Sequence, residues 1–271
     1  MDSDINISHI NYVAKMTQVV SWNVNSIKSR LQNFFEFVDK YSPDIILLQE
    51  LKCLEEAFPR MEIEEKGYNL AISGQKTYNG VAILSKSPIE DICKTLPGDD
   101  EDTQARYIEG FTMGMRVSSV YVPNGQEVGS DKFQYKLRFF DRLNDHIKTL
   151  RGYDEQLVIG GDYNVAPEPI DVYNPKALEG GIGFNIEERK KFRKLINNGM
   201  ADSYRILHPN KQEFSWWDYR SGSWDQNKGM RIDQILLSPQ SCDRLVEAGV
   251  YNEIRGKEKA SDHAPIFCKF L

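Results

Sequence analysis

The sequence predicts an α/β fold, a four-layer α/β sandwich in which two mixed sheets pack face to face with helices outside. Three observations indicate it. Apolar strands and amphipathic helices occur throughout residues 17–271, and no linker, low-complexity tract or repeat interrupts them. The strand that ends in Asn23-Val24-Asn25 resembles the strand that ends in Asp162-Tyr163-Asn164. Helices follow strands in both halves, so two similar covered sheets would bury their apolar faces against each other.

In the first half, apolar segments predict strands at 19–24, 44–50, 68–73 and 80–85. Between the first two, apolar residues at helical spacing predict a helix that Pro43 would end, with Leu31, Phe34, Phe35 and Val38 on its buried face.

In the second half, an acidic loop at 98–102 precedes a predicted strand pair at 106–116 and 118–123. A long amphipathic helix follows, with one face made by Phe133, Leu137, Phe140, Leu143 and Ile147. Residues 157–161 predict another buried strand, and Asn185 with Glu188 forms a capping box before the next helix. Strands are expected again at 213–217, 231–238 and 264–270.

The length of 271 residues suits one large domain or two ordinary ones, and we expect one domain over 17–271. Residues 1–16 are polar, without the apolar core of a secretory signal, and are expected to form a flexible extension. No apolar run is long enough to span a membrane. The widely spaced cysteines indicate reduced thiols in a cytoplasmic protein, namely Cys53, Cys93, Cys242 and Cys268.

The net charge of −6 argues mildly against a nucleic-acid-binding protein, because phosphate binding favours a basic surface. A bound metal ion would offset part of this charge, and a basic face can coexist with an acidic remainder. Charge alone would favour an enzyme acting on small molecules.

Common catalytic motifs are absent from the sequence, including the serine hydrolase elbow, the zinc protease helix, the Walker A loop and the dinucleotide-binding glycine motif. Polar side chains at strand ends remain. Glu50 directly follows an apolar strand, where a carboxylate can bind magnesium or can simply be solvated. Asp162 and Asn164 point the same way off an extended chain and could hold and deprotonate a water, although Asp and Asn also favour turns.

Three other segments have both a functional and an ordinary interpretation. His263 follows Asp262 and could face a phosphate as a charged imidazole, or lie on the surface. Tyr121 ends a strand before a turn and could donate to a phosphate oxygen. Trp216 could line a pocket for an extruded sugar or base, but paired aromatic residues are more often core. The basic cluster at 189–194 is most simply a solvated helix face.

Each of these segments is weak evidence alone. Their order and residue identities together resemble the exonuclease III family of abasic-site endonucleases, within the endonuclease/exonuclease/phosphatase superfamily. The resemblance runs from about Thr17 to the C-terminus. The segments that carry it are Trp22-Asn23-Val24-Asn25, Leu48-Gln49-Glu50-x-Lys52, Tyr121-x-Pro123, Gly161-Asp162-x-Asn164, Gly229-x-Arg231-Ile232-Asp233 and Ser261-Asp262-His263-Ala264-Pro265.

This resemblance implies the same four-layer sandwich and a role for each matching residue. A Mg²⁺ ion, for which Mn²⁺ could substitute, would be bound by a set of residues centred on Glu50, comprising Asn23, Glu50, Asp162, Asn164, Asp262 and His263. The catalytic residues would be Tyr121, Asp162, Asn164, Asp233 and His263. Asp162 would orient or deprotonate the attacking water, and Asp233 would hold His263 on a phosphate oxygen.

The resemblance also implies a substrate, double-stranded DNA with abasic sites or blocked 3′ ends, met at the nucleoid by a monomeric enzyme. The expected DNA contacts are Lys52, Arg106, Asn124, Trp216 and Asn227. Asn124 stands where some bacterial members carry glutamine, and Met230 where animal members carry tryptophan. These two differences leave open the balance between abasic-site cleavage and 3′-exonuclease action.

Two other interpretations stay open on the sequence. The same metal centre would serve a general deoxyribonuclease or a lipid or inositol phosphate hydrolase. A catalytically silent homologue that binds nucleic acid is the other possibility, although such proteins usually lack a metal-binding or water-handling residue, and here all of them are present.

Overall fold

The structure is a computed structural model that describes residues 16–271, and the predicted extension, apart from Met16, lies outside the described residues. Two mixed sheets form its centre. The strands of the first sheet are, in spatial order, Leu245–Val250 (β11), Ile266–Phe270 (β12), Thr17–Asn23 (β1), Ile45–Gln49 (β2), Val81–Ser85 (β4) and Asn69–Ser73 (β3).

The second sheet has the spatial order Glu90–Cys93 (β5), Tyr107–Thr112 (β6), Met115–Tyr121 (β7), Leu157–Asp162 (β8), Asp233–Leu237 (β10) and Ala201–Asp202 (β9). The helices are Leu31–Tyr41 (α1), Arg60–Glu64 (α2), Asp131–Arg151 (α3), Pro175–Leu178 (α4), Ile186–Asn197 (α5), Ser203–Leu207 (α6), Pro239–Cys242 (α7) and Asn252–Arg255 (α8). Short 3₁₀ turns lie at Glu55–Ala57 and Pro169–Asp171.

Both sheets have the same pairing pattern, which confirms the similarity of the two halves. In each, one central pair is parallel, β1 with β2 and β7 with β8, and the neighbouring pairs are antiparallel. Central strands β1 and β8 also contact each other across the sandwich.

Three apolar clusters confirm the four layers. One lies between the sheets and includes Val19, Leu47 and Val158. A second lies between the first sheet and α1, around Trp22 and Phe34. The third lies between the second sheet and helices α3 and α5, so the helices cover the outer faces.

Several sequence-based boundaries were wrong. The predicted strand pair at 106–116 and 118–123 turns at Met113-Gly114, both with positive φ, rather than near residue 117. Residues 213–217 do not form a strand. Trp216 makes only isolated bridges to Met230 and His263, which both lie outside the named strands, so this segment does not extend a sheet.

The short strands β5 and β9 and the edge strand β11 were missed. Most residues of β5 and β11 are partly or fully exposed, so those segments lack the apolar pattern that marks a strand in sequence. Strand β9 has only two residues. The capping box of Asn185 and Glu188 at the start of α5 is confirmed. Among residues 16–271, no helix is long and apolar enough to cross a membrane.

Candidate active site

Five strands bring their polar ends to one edge of the sandwich. Parallel strands β1 and β2 end together, with Asn23 beside Gln49 and Glu50 next along the chain. Parallel strands β7 and β8 end together at Tyr121 and Asp162. Antiparallel β10 begins at the same edge, with Asp233 opposite Asp162. The topology therefore gathers side chains that are far apart in the sequence.

The backbone turns sharply where two of these strands end. Glu50, Lys52 and Asn164 have φ values of +52°, +54° and +51°, in the left-handed region. Asn tolerates this region, whereas for Glu and Lys it costs free energy, roughly 1–2 kcal/mol each. At Glu50 the turn is fixed by neighbours, since its carbonyl accepts from the Ser26 amide at 2.7 Å.

Glu50, Asp162 and His263 form the metal-binding candidate among the described residues, with one possible ligand atom from each lying within 4.8 Å of the others. Asn23 links the two carboxylates. Its Nδ2 donates to Glu50 Oε1 at 2.9 Å and to Asp162 Oδ2 at 3.0 Å. The neutral amide lets the carboxylates approach each other without a direct contact of like charges.

Asp162 is fully enclosed, and burial together with the charges of Asp233 and Glu50 raises its pKa to about 7, against the opposing effect of His263. Its Oδ1 accepts from the Asn164 amide at 2.8 Å, and its Oδ2 from Asn164 Nδ2 at 3.2 Å. A cation between Asp162 and Glu50 would relieve the crowding of negative charge. The donor set, carboxylate oxygens with an imidazole nearby, therefore fits a divalent metal ion.

His263 is held from behind by a buried carboxylate. Its Nδ1 lies 2.9 Å from Asp233 Oδ2, and Ser215 Oγ donates to the same oxygen at 2.6 Å. Burial of the ring lowers the pKa of His263, but Asp233 and Asp162 outweigh burial and raise the pKa to about 10. The imidazole is therefore charged at neutral pH, and its Nε2, 3.7 Å from Asp162 Oδ2, faces the site.

Tyr121 and the amide pair Asn124 and Asn164 border the other side of the carboxylates. Burial and the charges of Glu50 and Asp162 raise the pKa of Tyr121 well above its ordinary value, so its hydroxyl remains a donor. The Arg106 guanidinium lies 4.7 Å from the centre of the Tyr121 ring. Asn124 Nδ2 donates to Asn164 Oδ1 at 3.0 Å.

On the first-sheet side, Lys52 and Asp262 are connected through Asn25. Lys52 Nζ lies 2.7 Å from Glu50 Oε2 and also donates to Asn25 Oδ1. Asp262 Oδ1 accepts from Asn25 at 2.8 Å and its Oδ2 from Trp216 Nε1 at 3.0 Å. Both oxygens of Asp262 thus have protein donors, and Asp262 lies outside the cluster of Glu50, Asp162 and His263 among the described residues.

Asn227 lies farther out, on an exposed turn, where its Oδ1 accepts from Trp217 Nε1 at 3.1 Å. The sequence patterns assign no role to Ser215 or Asn25, although both stand beside predicted site residues. For Ser215 that position is the only signal, because serine is common in loops, whereas Asn25 also belongs to the segment Trp22-Asn23-Val24-Asn25 that carries the resemblance.

Comparison with known proteins agrees with this geometry. The model of the endonuclease/exonuclease/phosphatase family matches residues 20–263. The chain is similar to exodeoxyribonuclease III of Haemophilus influenzae, with 36% identity over 264 residues that cover 93% of this chain and 98% of that protein.

Two solved structures are similar over nearly the whole chain. One is a 3′ phosphatase from Neisseria bound to a product DNA hairpin, with a TM-score of 0.93, 37% identity, and coverage of 94% of this chain and 99% of that one. The other is an AP endonuclease from Archaeoglobus fulgidus, with a TM-score of 0.90, 35% identity and coverage of 94% and 99%. The family match and these similarities span the strands that build the site, and the chain belongs to the endonuclease/exonuclease/phosphatase family.

Proposed function

We propose that this protein is a DNA repair nuclease that hydrolyses the phosphodiester on the 5′ side of an abasic site, and that it also acts as a 3′-to-5′ exonuclease and trims 3′ ends on duplex DNA, leaving a 3′-hydroxyl. The observation that carries the proposal is the convergence of Glu50, Asp162 and His263 within 4.8 Å at the strand ends. The similarity to exodeoxyribonuclease III supports DNA as the substrate.

Magnesium is the proposed metal, because the site offers mainly hard oxygen donors. Glu50 and Asp162 would hold it, with Asn23 fixing their relative position. When bound, the ion would offset the charge of the phosphate and stabilise the leaving 3′ oxygen. His263 lies in the same cluster of possible ligand atoms, and we assign it to the phosphate instead of the ion.

The protein's own groups would divide the remaining work. Asp162 would accept a proton from a water held between it and Asn164. The water would then attack phosphorus in line with the bond to the 3′ oxygen. His263, kept charged by Asp233, would donate to a non-bridging phosphate oxygen, and the Tyr121 hydroxyl would donate to another.

DNA would lie across the edge that carries these groups. Lys52 and Arg106 would contact its phosphates, with Asn124 and Asn227 as further polar contacts. Trp216 packs with Met230 and Phe184 beside the site and would border the pocket for the base-less sugar. Extruding such a sugar costs less than extruding a paired nucleotide, which would favour abasic sites. We further propose that the enzyme acts as a monomer in the cytoplasm, on nucleoid DNA.

The test is cleavage of an end-labelled duplex that carries one abasic analogue, followed on a gel with Mg²⁺, with Mn²⁺ and with chelator. We expect metal-dependent cleavage 5′ to the lesion, with Asp162→Asn about 10³-fold slower and no internal cleavage of an undamaged duplex. An absence of cleavage by folded protein with either metal would reject the enzymatic proposal and favour a silent homologue.

A 3′-phosphatase is a second candidate, favoured by the similarity to the Neisseria 3′ phosphatase. A duplex with a 3′-phosphate at a nick tests it in the same assay. Removal of that phosphate without cleavage at the abasic analogue would assign the protein to 3′-end processing alone. An inositol phosphate substrate, assayed for phosphate release, should remain unchanged.

A further inference from the structure

Lys136, on helix α3, is a buried charge outside the groups described above. Its side chain and that of its partner Glu188 are both 0% exposed. Burying an ammonium group is costly unless every hydrogen finds an acceptor. An apolar side chain could fill the same space between α3 and α5, so packing alone does not explain a lysine.

The ammonium group of Lys136 joins three separate segments. Its Nζ donates to the carbonyl oxygen of Asn164 at 2.7 Å, to that of Asn124 at 3.2 Å, and to the Glu188 carboxylate. The other oxygen of Glu188 accepts from the Asn185 amide at 2.9 Å, in the capping box of α5. All three donor hydrogens are therefore used, and two of them hold strand-end residues of the site.

The two carbonyls belong to the amide pair that borders Asp162. Asn124 and Asn164 are hydrogen-bonded to each other through their side chains, and Asn164 donates both its backbone and side-chain nitrogens to Asp162. Asn164 has a positive φ, so its carbonyl direction is set by a turn that a neighbour must hold. Lys136 is that neighbour.

The loop that contains Asn124 lies directly on the lysine stem. A Cβ added at Gly125 would come within 3.2 Å of Lys136 Cδ. Ser130, the N-cap of α3, donates to the Gly125 carbonyl at 3.2 Å. Helix α3 thus holds this loop at two points, Ser130 and Lys136. Of these two residues, Lys136 also donates to Asn164 in the site.

We propose that Lys136 is a positioning residue, which fixes the backbone of Asn124 and Asn164 and so aligns Asn164 with Asp162 for the attacking water. The proposal rests on the proposed nuclease function where cleavage rates test it. A second test, by hydrogen exchange, does not depend on that function. Lys136 itself touches no substrate.

The kinetic test removes the whole ion pair, so that no unpaired buried charge remains. We compare Lys136→Met/Glu188→Gln with a control, Arg116→Met/Glu155→Gln. Arg116 is a largely buried partner of Glu155 at the start of β7, the end of the strand opposite Tyr121. Its other buried neighbour, Glu109, keeps its contact with His146 at 2.8 Å. Steady-state cleavage gives kcat and KM, and thermal unfolding gives the stability of each variant.

We expect the Lys136 pair variant to lose about 10²-fold in kcat well below its unfolding temperature, as a misplaced catalytic group does. The control should stay within about twofold of wild type in kcat. In a protein that already carries Asn164→Ala, adding Lys136→Met/Glu188→Gln should lower kcat by no more than about twofold, because the side chain that Lys136 positions is already absent. An equal loss in both backgrounds, or a wild-type kcat, would overturn the proposal.

Hydrogen exchange of the wild-type protein, without DNA or metal, tests the same idea if the variant fails to fold. The amides of Asn164 and Gln126 report the two anchored segments, since they donate to Asp162 Oδ1 and Asn124 Oδ1. We expect these two amides to exchange no faster than the amides of helix α3, because the segments should open only when the helix opens. Exchange through faster local openings would show that Lys136 does not anchor them, whatever reaction the enzyme performs.

Discussion

The ends of β1 and β8 share a sequence pattern and occupy matching places in the two sheets, yet they differ in charge. Strand β1 ends in Asn23 and continues to Asn25, both neutral amides. Strand β8 ends in Asp162 and continues to Asn164. Asn23 donates to the carboxylates of Glu50 and Asp162, whereas Asp162 accepts from the side-chain amides of Asn23 and Asn164.

This difference shows how a repeated framework supports one active site instead of two. The β1 end supplies donors that hold the carboxylates in place, and the β8 end supplies the charge that would do the chemistry. A second charged end would place three carboxylates around one ion. Substitutions that change this asymmetry should therefore have graded effects, the largest of them at the strand ends themselves.

Asp162→Asn makes the two strand ends alike as Asn-x-Asn. We expect about a 10³-fold loss in single-turnover cleavage, because the proton acceptor is removed while the shape is kept. The reciprocal change, Asn23→Asp, should also inactivate, since it replaces a donor to two carboxylates by a third negative charge.

Thermal unfolding of both variants is the control. Asp162→Asn should not lower the unfolding temperature of metal-free protein, because it relieves a buried charge. Near wild-type cleavage by Asp162→Asn would mean that its role has been wrongly assigned.

Gly160 on β8 faces Ser21 on β1, where the two central strands meet. A Cβ at Gly160 would lie 2.7 Å from Leu47 Cδ1 and 3.0 Å from Ser21 Cβ. Gly160→Ala should therefore lower the free energy of unfolding by about 1–3 kcal/mol, measured by denaturant titration. Adding Ser21→Gly should recover part of the loss. No recovery would show that the strain lies against Leu47 instead.

The pH dependence of the unfolding free energy tests the charges at the β8 end, where the pKa values of Asp162 and His263 are raised. In metal-free protein the pKa of His263 is raised from 6.5 to about 10, and that of Asp162 from 3.8 to about 7. A raised folded-state pKa gives stability that is fully present below the unfolded value and is lost as pH rises through the folded one.

The stability contributed by His263 should thus disappear between pH 6.5 and about 10. We expect the unfolding free energy of wild type to fall across this window relative to Asp162→Asn/His263→Gln, with a slope up to about 1.4 kcal/mol per pH unit per proton. Denaturant titrations in chelator measure it. Parallel curves for the two proteins would contradict the charged state assigned to His263.

Lys52→Gln is expected to have the smallest effect. Lys52 is partly exposed and pairs with Glu50 at 2.7 Å, and after its removal Asn23 would still hold Glu50. If Lys52 contacts a phosphate, DNA affinity should fall and the slope of log affinity against log salt should drop by about one. An unchanged salt dependence would assign Lys52 to holding Glu50 and Asn25 only.

Much of the site can be predicted from the sequence because its residues lie beside apolar strands. The sequence pattern places Glu50, Asp162 and His263 at strand ends, and the fold brings them within 4.8 Å of one another. Residues whose contacts come from remote segments cannot be predicted in this way. Ser215 is one serine in an aromatic segment, and Lys136 is one basic residue on an amphipathic helix, with nothing local to mark either as buried.

The sequence by itself determined the alternation of strands and helices, the polar strand ends and the motifs of the family, because these depend on neighbours along the chain. Only the tertiary structure decided where the hairpin at Met113-Gly114 turns, that residues 213–217 leave the sheet, and which groups carry charge. The pKa values of Asp162 and His263 depend on burial and on Asp233, which is distant from both in the chain. Electrostatic free energy depends on distance in space, which the fold alone sets.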